Sequence, residues 1–238
     1  MSIFYHLCIL MTLLPALATA LPQAEGEAKM PWDPNEVHFL LYTRDNQEVP
    51  IEISYNFTLQ ELGSAGYVST KKTFFLIHGF SSSGEFALQF LPDIFAKEDA
   101  NVFAIDWAKL AAAINYFAAA ERCLDVGTYV GGFAGKLTLE TGLNATLIHA
   151  VGHSLGAHTG GYLGKEYLRV TGEKVGRVTG LDPARPYFEI LDPHLRLHRE
   201  DATFVDVIHV NSGSLVDVSN MRETQVVFSN APQNFCKF

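Results

Sequence analysis

The sequence predicts one α/β domain in which a mostly parallel β-sheet carries helices on both faces. Short apolar runs rich in Val, Ile and Phe recur along the chain, and several are apolar on both faces, as strands buried in a parallel sheet are. Segments of helical length lie between these runs, which indicates βαβ units. With 238 residues, 48% of them hydrophobic, the chain is long enough for one sizeable core and short for two.

The order of the predicted elements follows from these runs and from the glycines that interrupt them. Strands are predicted over residues 37–43, 73–77, 102–106, 147–151, 175–181 and 204–210. Helices are predicted over residues 84–97, 121–141 and 155–170. Gly142 is placed to end the second helix in the left-handed conformation. Residues 224–228 are compatible with one further strand.

The N-terminal stretch has the features of a secretory signal peptide. Residues 1–20 contain no charged Asp, Glu, Lys or Arg, hold an apolar run over 7–14 and close with Ala18-Thr19-Ala20, a small-residue cleavage site. The apolar run is short for a bilayer span, which needs about 20 residues, and no later segment is long and apolar enough. We therefore expect a secreted protein with a short lead-in over 21–36 and one domain over 37–238.

Cysteines and glycosylation sequons agree with secretion. Cys8 leaves with the signal peptide, so Cys123 and Cys236 remain, and the sequence leaves open whether they pair. The sequons begin at Asn56 and Asn144, which are the predicted glycosylation sites.

The charge of the chain excludes one class of partner. The formal net charge is −9 and there is no cluster of Lys or Arg, so a nucleic-acid partner is not expected. No His, Cys, Asp and Glu set shows the spacing of metal ligands along the chain. We expect neither a metal site nor a cofactor.

A serine between glycines carries the strongest chemical signal. Gly152-His153-Ser154-Leu155-Gly156 follows one predicted strand and opens the next helix, which is the setting of a nucleophile elbow. The two glycines keep side chains out of the sharp turn, and Ser154 is expected to have a positive φ. The backbone N–H of Leu155 lies at the helix N-terminus, where it can stabilise an oxyanion.

A second oxyanion donor is expected from the loop after an early strand. The strand over 73–77 runs into His78-Gly79-Phe80, so the Phe80 N–H is the candidate. His78 is open to two interpretations, a general base or a brace for this loop, and the brace is favoured.

Five ordered motifs between Val37 and Ser214 resemble the pancreatic-lipase family of secreted α/β-hydrolases, which also includes phospholipases and arthropod lipase-like proteins. The motifs are Ile77-His78-Gly79-Phe80, Ala104-Ile105-Asp106-Trp107, Gly152-His153-Ser154-Leu155-Gly156-Ala157-His158, Gly180-Leu181-Asp182-Pro183-Ala184-Arg185-Pro186 and Phe204-Val205-Asp206-Val207-Ile208-His209. The resemblance implies Ser154 as nucleophile, Asp182 as the acid that orients a histidine, and Phe80 and Leu155 as oxyanion donors. From the residues alone, Asp106 and Asp206 compete with Asp182.

The resemblance implies a lipid ester hydrolase and also shows where this chain departs from the family. The implied substrates are triacylglycerol or the sn-1 ester of a phospholipid, with contact to a lipid interface. In the family the catalytic histidine follows the Val-Asp-Val-Ile-His strand and a lid, whereas no histidine follows His209 here. We do not expect His158, His194 or His198 to replace it. The α/β-hydrolase domain is thus expected to be incomplete at its C-terminus. The alternative function is a non-catalytic secreted protein that binds lipid or protein.

Overall fold

A computed structural model describes residues 32–112 and 115–209 and the backbone of 225–229. Across these residues a single sheet runs in the order β2-β1-β4-β3-β5-β6-β7-β8. The strands are β1 (His38–Tyr42), β2 (Ile51–Ile53), β3 (Thr73–Ile77), β4 (Asn101–Asp106), β5 (Ile148–His153), β6 (Arg177–Leu181), β7 (Phe204–His209) and β8 (Gln225–Ser229). The helices are α1 (Leu59–Ser64), α2 (Leu91–Lys97), α3 (Ala108–Ala111), α4 (Tyr116–Thr141) and α5 (Leu155–Thr171).

The centre of the sheet is parallel and its two edges are antiparallel. β4, β3, β5, β6 and β7 pair in parallel, while β1, β2 and β8 join antiparallel. The larger apolar core lies between the sheet and α4 and α5, and a smaller one lies on the opposite face around α2. The predicted α/β architecture, mostly parallel and covered on both faces, is confirmed. None of the helices described has an apolar stretch long enough to cross a membrane.

The predicted elements differ from the observed ones mainly at helix starts. α4 begins at Tyr116, five residues before its predicted start, because the Asn115 side chain accepts the Ala118 N–H at 2.8 Å and caps the helix. Gly142 ends α4 with φ 72° as predicted. The predicted helix over 84–97 is a 3-10 turn, Gly84–Gln89, followed by α2. β2 and α1 were not predicted.

A row of glycines lets α4 and α5 pack at unusually short range. Gly127, Gly131 and Gly135 recur every four residues on α4, so they share one face of the helix. A Cβ on Gly127 would lie 2.4 Å from Tyr162 Cβ, and one on Gly131 would lie 2.7 Å from the Leu163 carbonyl oxygen. The helix that carries the elbow is therefore held close to α4.

Candidate active site

Ser154 occupies a strained corner between β5 and α5. Its backbone has φ 55° and ψ −117°, so the positive φ expected from the sequence is confirmed. This conformation costs on the order of 1–3 kcal/mol in a non-glycine residue. It is held in part by the neighbouring strand, because the Ser154 N–H donates to the Leu181 carbonyl at 2.9 Å.

The elbow glycines are required by close backbone contacts. A Cβ on Gly152 would lie 2.0 Å from the Gly156 carbonyl oxygen, and a Cβ on Gly156 would lie 2.2 Å from the Ile77 carbonyl oxygen. A Cβ on Gly79 would meet Ser154 Cβ at 2.9 Å. The loop after β3, which carries the candidate donor Phe80, therefore lies directly against the serine.

Asp182 lies at the carboxyl end of β6, where the backbone ties it to both neighbouring strands. Its φ is 43°, and its N–H donates to the Ile208 carbonyl of β7 at 2.8 Å. The residues around it bond to the serine, since Leu181 accepts the Ser154 N–H and the Ala184 N–H donates to the Ser154 carbonyl at 3.2 Å. The structure thus brings the segment that carries Asp182 against Ser154.

The two competing aspartates are engaged elsewhere. Asp206 is 2% exposed, pairs with the Arg177 guanidinium through both carboxylate oxygens at 3.0 and 2.6 Å, and accepts the Thr179 hydroxyl at 2.7 Å. Asp106 accepts the Ala108 N–H at 3.0 Å. These contacts give Asp206 and Asp106 structural roles.

The candidate oxyanion donors lie on the two segments that meet at the elbow. Leu155 is the first residue of α5, and the first four N–H groups of a helix have no partner within the helix. Phe80 follows Gly79 directly, and the next residue, Ser81, has φ 51° and donates its N–H to the Ala111 carbonyl at 3.1 Å. That bond holds the loop that carries Phe80.

His78 has the role of a brace. It is fully buried, its Nδ1 contacts the Gly79 carbonyl at 2.9 Å and its Nε2 accepts the Trp107 N–H at 3.0 Å. The indole N–H of Trp107 donates back to the His78 carbonyl at 3.0 Å. With both ring nitrogens occupied, His78 positions the loop after β3 and is not available to take a proton from Ser154.

His158 is also occupied at both ring nitrogens. Nε2 donates to the Ala184 carbonyl at 2.8 Å, and Nδ1 accepts the Leu197 N–H at 3.1 Å. The ring stacks on Phe188 with centroids 3.6 Å apart. Burial lowers the pKa of His158 to about 4, so it is a neutral structural residue near neutral pH.

The other histidines considered as a base lie at strand ends, as His153 and His209 do, or in the loop between β6 and β7. His153 is exposed, and its ring stacks on Phe86 with centroids 5.8 Å apart. His209 ends β7 one residue after Ile208, which pairs with Leu181; the sheet register therefore places it beside Asp182. His194 and His198 lie farther along the loop after β6, with ring centroids 5.0 Å apart.

Sequence reasoning missed other strained positions around this edge of the sheet. Among the described residues, the non-glycine residues with positive φ are Ser81, Ser154, Asp182 and Tyr187. All four lie in loops that follow β3, β5 or β6, at the carboxyl ends of the parallel strands. Strain of this kind clusters at functional sites. No local pattern marks Ser81 or Tyr187, and Ser81 depends on a bond to a distant segment, since its N–H donates to the Ala111 carbonyl.

Three aromatic side chains, Phe80, Tyr116 and Phe117, form an aromatic wall next to the Ser154 corner. Tyr116 packs edge-on against Phe80 with ring centroids 5.5 Å apart and contacts Phe117 at 5.7 Å. Its hydroxyl donates to the Pro186 carbonyl at 3.1 Å. Phe80 and Phe117 remain 36% and 58% exposed, so apolar surface faces solvent beside the serine.

The structure describes both predicted glycosylation sites and one of the two cysteines expected to remain after signal-peptide removal. Asn56 and Asn144 are both exposed. Cys123 is fully buried, with its thiol 3.5 Å from the Leu155 carbonyl oxygen, and burial raises its pKa to about 12. Cys236, the partner left open by the sequence, lies outside the described residues, as does the predicted signal peptide.

A cluster of possible metal ligands also appears, contrary to the sequence expectation. His194, His198 and Glu200 each offer a ligand atom within 4.8 Å of the others. Their spacing along the chain gave no such indication, because they converge through an irregular loop rather than along one face of a helix.

The parallel sheet, the serine at a strained strand–helix corner and the aspartate after the next strand are the features of the α/β-hydrolase fold. The family model described as Lipase matches residues 16–226. The chain belongs to the pancreatic-lipase family, and the resemblance stated from its motifs is confirmed.

Relatives of known name place the chain within this family. It is similar to human pancreatic triacylglycerol lipase, with 35% identity over 206 residues that cover 83% of this chain and 42% of the relative. It is similar to bovine pancreatic lipase-related protein 2, with 36% identity over 190 residues, 78% of this chain and 39% of the relative. The chain thus spans about two fifths of the length of these curated relatives.

A solved structure was also matched. A carboxylesterase from Mesorhizobium loti is 17% identical, with a TM-score of 0.34, over 48% of this chain and 57% of that chain.

Proposed function

We propose that the Ser154 site serves hydrolysis of carboxylic esters in lipids through a serine acyl-enzyme. The observation that carries this proposal is the backbone of Ser154, φ 55° at the corner of β5 and α5, with Gly79, Gly152 and Gly156 packed around it. A positive φ is costly in a non-glycine residue and recurs at functional sites, and the serine that carries it here stands between two glycines at a strand–helix corner, as a nucleophile does. Family membership and the exposed aromatic wall favour triacylglycerol or the sn-1 ester of a phospholipid as substrate.

In the proposed mechanism the Ser154 hydroxyl attacks the ester carbonyl while a base takes its proton; the resemblance implies a histidine for this base, a role that His78 and His158 cannot fill with both ring nitrogens already occupied. Asp182 orients that histidine and stabilises its cation. The N–H groups of Phe80 and Leu155 donate to the carbonyl oxygen as it becomes negative. The alcohol leaves with the proton that the base returns to it. Water then attacks the acyl-enzyme and gives a proton to the base, and the fatty acid is released as Ser154 regains its proton.

A fluorophosphonate probe tests the nucleophile directly. We expect the 238-residue chain to be labelled at Ser154, slowly, because the rings of His78 and His158 beside the elbow are already occupied and a serine without its base loses several powers of ten in rate. Ser154→Ala should abolish labelling. Ser64→Ala, in α1 at the β2 side of the sheet, is the control and should label as the parent chain does.

Two results contradict or sharpen this proposal. Labelling that persists in Ser154→Ala, or a complete lack of labelling in the folded parent chain, would refute Ser154 as nucleophile. Rapid labelling with fast turnover of a short-chain ester would show that a histidine of this chain acts as base. His209→Ala would then test the residue that the register places beside Asp182, with His158→Ala for comparison.

A second candidate function is binding of lipid or protein without turnover. The occupied rings of His78 and His158 favour it, together with the exposed Phe80 and Phe117. Saturable binding of fatty acid or lipid vesicles by a chain that does not hydrolyse short-chain esters would support this alternative. Binding that disappears in Phe117→Ser would assign it to the aromatic wall.

We also propose that the chain is secreted, with residues 1–20 as signal peptide, 21–36 as lead-in and 37–238 as the hydrolase domain. Exposure of Asn56 and Asn144 supports glycosylation at both sequons. In a secretory cell, Asn56→Gln and Asn144→Gln should each remove the mass of one glycan, and an unchanged mass would contradict the corresponding site.

A further inference from the structure

Three potential metal ligands meet on the loop that joins β6 to β7. His194 and His198 have ring centroids 5.0 Å apart, and His198 Nδ1 lies 4.0 Å from a carboxylate oxygen of Glu200. One ligand atom from each of the three residues lies within 4.8 Å of the others. The cluster is separate from the proposed catalytic residues Ser154 and Asp182.

The backbone that carries this cluster is fixed to α5. Between the two histidines, each backbone position bonds to a side chain of α5: Leu195 O to Tyr162 OH, Arg196 O to Lys165 Nζ at 2.9 Å, and Leu197 N to His158 Nδ1 at 3.1 Å. The His198 N–H donates to a carboxylate oxygen of Asp201 at 2.8 Å. The ligand side chains are therefore exposed or half-buried on a backbone that is already held in place.

The chemistry of the three donors suits Zn²⁺. Two imidazoles and one carboxylate, with water as the fourth ligand, form a common zinc site, whereas Mg²⁺ and Ca²⁺ prefer oxygen ligands alone. Zinc bonds of about 2.0–2.1 Å in a tetrahedron require ligand atoms about 3.4 Å apart. His194 and Glu200 are exposed while the His198 side chain is 20% exposed, so rotation of the two exposed side chains towards His198 can close the remaining gap.

One existing contact must give way to the metal. The Glu200 N–H points at His198 Nδ1 over 3.4 Å, longer than an ordinary N–H hydrogen bond, so its loss costs little. The nearest buried carboxylate, Asp201, is already paired with Lys165 Nζ at 2.6 Å, and it holds the His198 backbone. It acts as support for a ligand rather than as a ligand.

We propose that His194, His198 and Glu200 form a Zn²⁺ site that fastens the β6–β7 loop. Zinc would close the segment from His194 to Glu200 into a small ring, and the ion binds the folded loop in preference to the unfolded chain. The consequence is a melting temperature that rises with the zinc concentration. This inference does not depend on whether Ser154 is catalytic.

Calorimetric titration of the metal-free 238-residue chain with ZnCl₂ tests the site. We expect one Zn²⁺ per chain, with affinity at least about tenfold weaker in His194→Ala, His198→Ala and Glu200→Gln, as loss of a ligand requires. His38→Ala is the matched control, because His38 forms another surface histidine–carboxylate pair, with Glu52 at 2.7 Å, to which the described residues add no third ligand. It should bind zinc as the parent chain does.

Two further measurements test the zinc site even if one of the variants misfolds. Co²⁺ should give the visible absorption of a tetrahedral site in the parent chain and in His38→Ala, and lose it in His194→Ala, whose side chain is exposed. Zinc should raise the melting temperature of the same two proteins and not that of His194→Ala. The proposal is overturned if zinc does not bind the parent chain, if His38→Ala weakens binding as much as His194→Ala, or if Mg²⁺ binds as well as Zn²⁺.

Discussion

Acid should destabilise this fold through the ring of His158. The ring is 4% exposed, and its two nitrogens have opposite roles: Nε2 donates to the Ala184 carbonyl while Nδ1 accepts the Leu197 N–H. Protonation places a hydrogen on Nδ1, where it opposes the N–H of Leu197. The neutral ring is thus the form that joins α5 to the loops on either side of Phe188.

The magnitude follows from the pKa of this ring. Burial is the largest cause that lowers the pKa of His158 from 6.5 to about 4, and the hydrogen bond to Ala184 acts in the opposite direction. Each pKa unit corresponds to about 1.4 kcal/mol, so the shift corresponds to about 3 kcal/mol. Because the folded-state pKa is the lower one, this stability is present above pH 6.5 and is lost as the pH falls towards 4.

Urea unfolding of the parent chain and of His158→Gln measures this contribution. The glutamine amide can still donate and accept, but it does not titrate. The difference in unfolding free energy between the two proteins should change by about 3 kcal/mol between about pH 7 and about pH 4. Other groups that titrate in both proteins, such as His149 with a pKa lowered to about 3, cancel in this difference. A constant difference across that range would refute the argument.

Three further predictions concern packing, a buried charge pair and export. Gly131→Ala should lower the unfolding free energy by about 1–3 kcal/mol through overpacking against α5, whereas Gly63→Ala, with no atom within 4 Å of the added Cβ, should not lower it. Lys165→Met should lower the unfolding free energy measured with urea by about 3 kcal/mol, because it leaves the buried Asp201 carboxylate without its cation. Arg185→Met breaks an exposed pair with Glu189 and should lower the unfolding free energy by less than about 1 kcal/mol. N-terminal sequencing of the exported protein should begin at Leu21, and retained Met1 would contradict the signal peptide.

The central strands could be predicted because each is a short apolar run with a clear beginning. β3 was predicted at its observed bounds, and β4, β5, β6 and β7 within two residues at each end. β2 gave no such signal, since it has three residues, Ile51–Ile53, and two of them are exposed. The start of α4 was hidden for a different reason: Tyr116 to Ala120 are apolar, and only the Asn115 cap marks the boundary.

The site was predictable to the extent that its parts are local. The elbow pattern predicted the positive φ of Ser154 because strand, turn and helix are consecutive in sequence. No local pattern separates Asp182 from Asp106 and Asp206, and the family resemblance selected Asp182; in the structure Arg177 and Thr179 engage Asp206 from the adjacent strand. The convergence of His194, His198 and Glu200 likewise depends on bonds between their loop and α5. Such bonds cannot be predicted from the spacing of the three residues along the chain.

Backbone bonds between neighbouring strands hold the proposed nucleophile and acid. Ser154 bonds through its backbone to Leu181 of β6, and Asp182 bonds through its backbone to Ile208 of β7. Each strained residue is therefore held by the strand next to its own: β6 holds Ser154 at the end of β5, and β7 holds Asp182 at the end of β6. Because backbone bonds carry this arrangement, Ser154→Ala and Asp182→Asn should leave the corner intact. A change in activity in either variant can then be assigned to chemistry rather than to a displaced elbow.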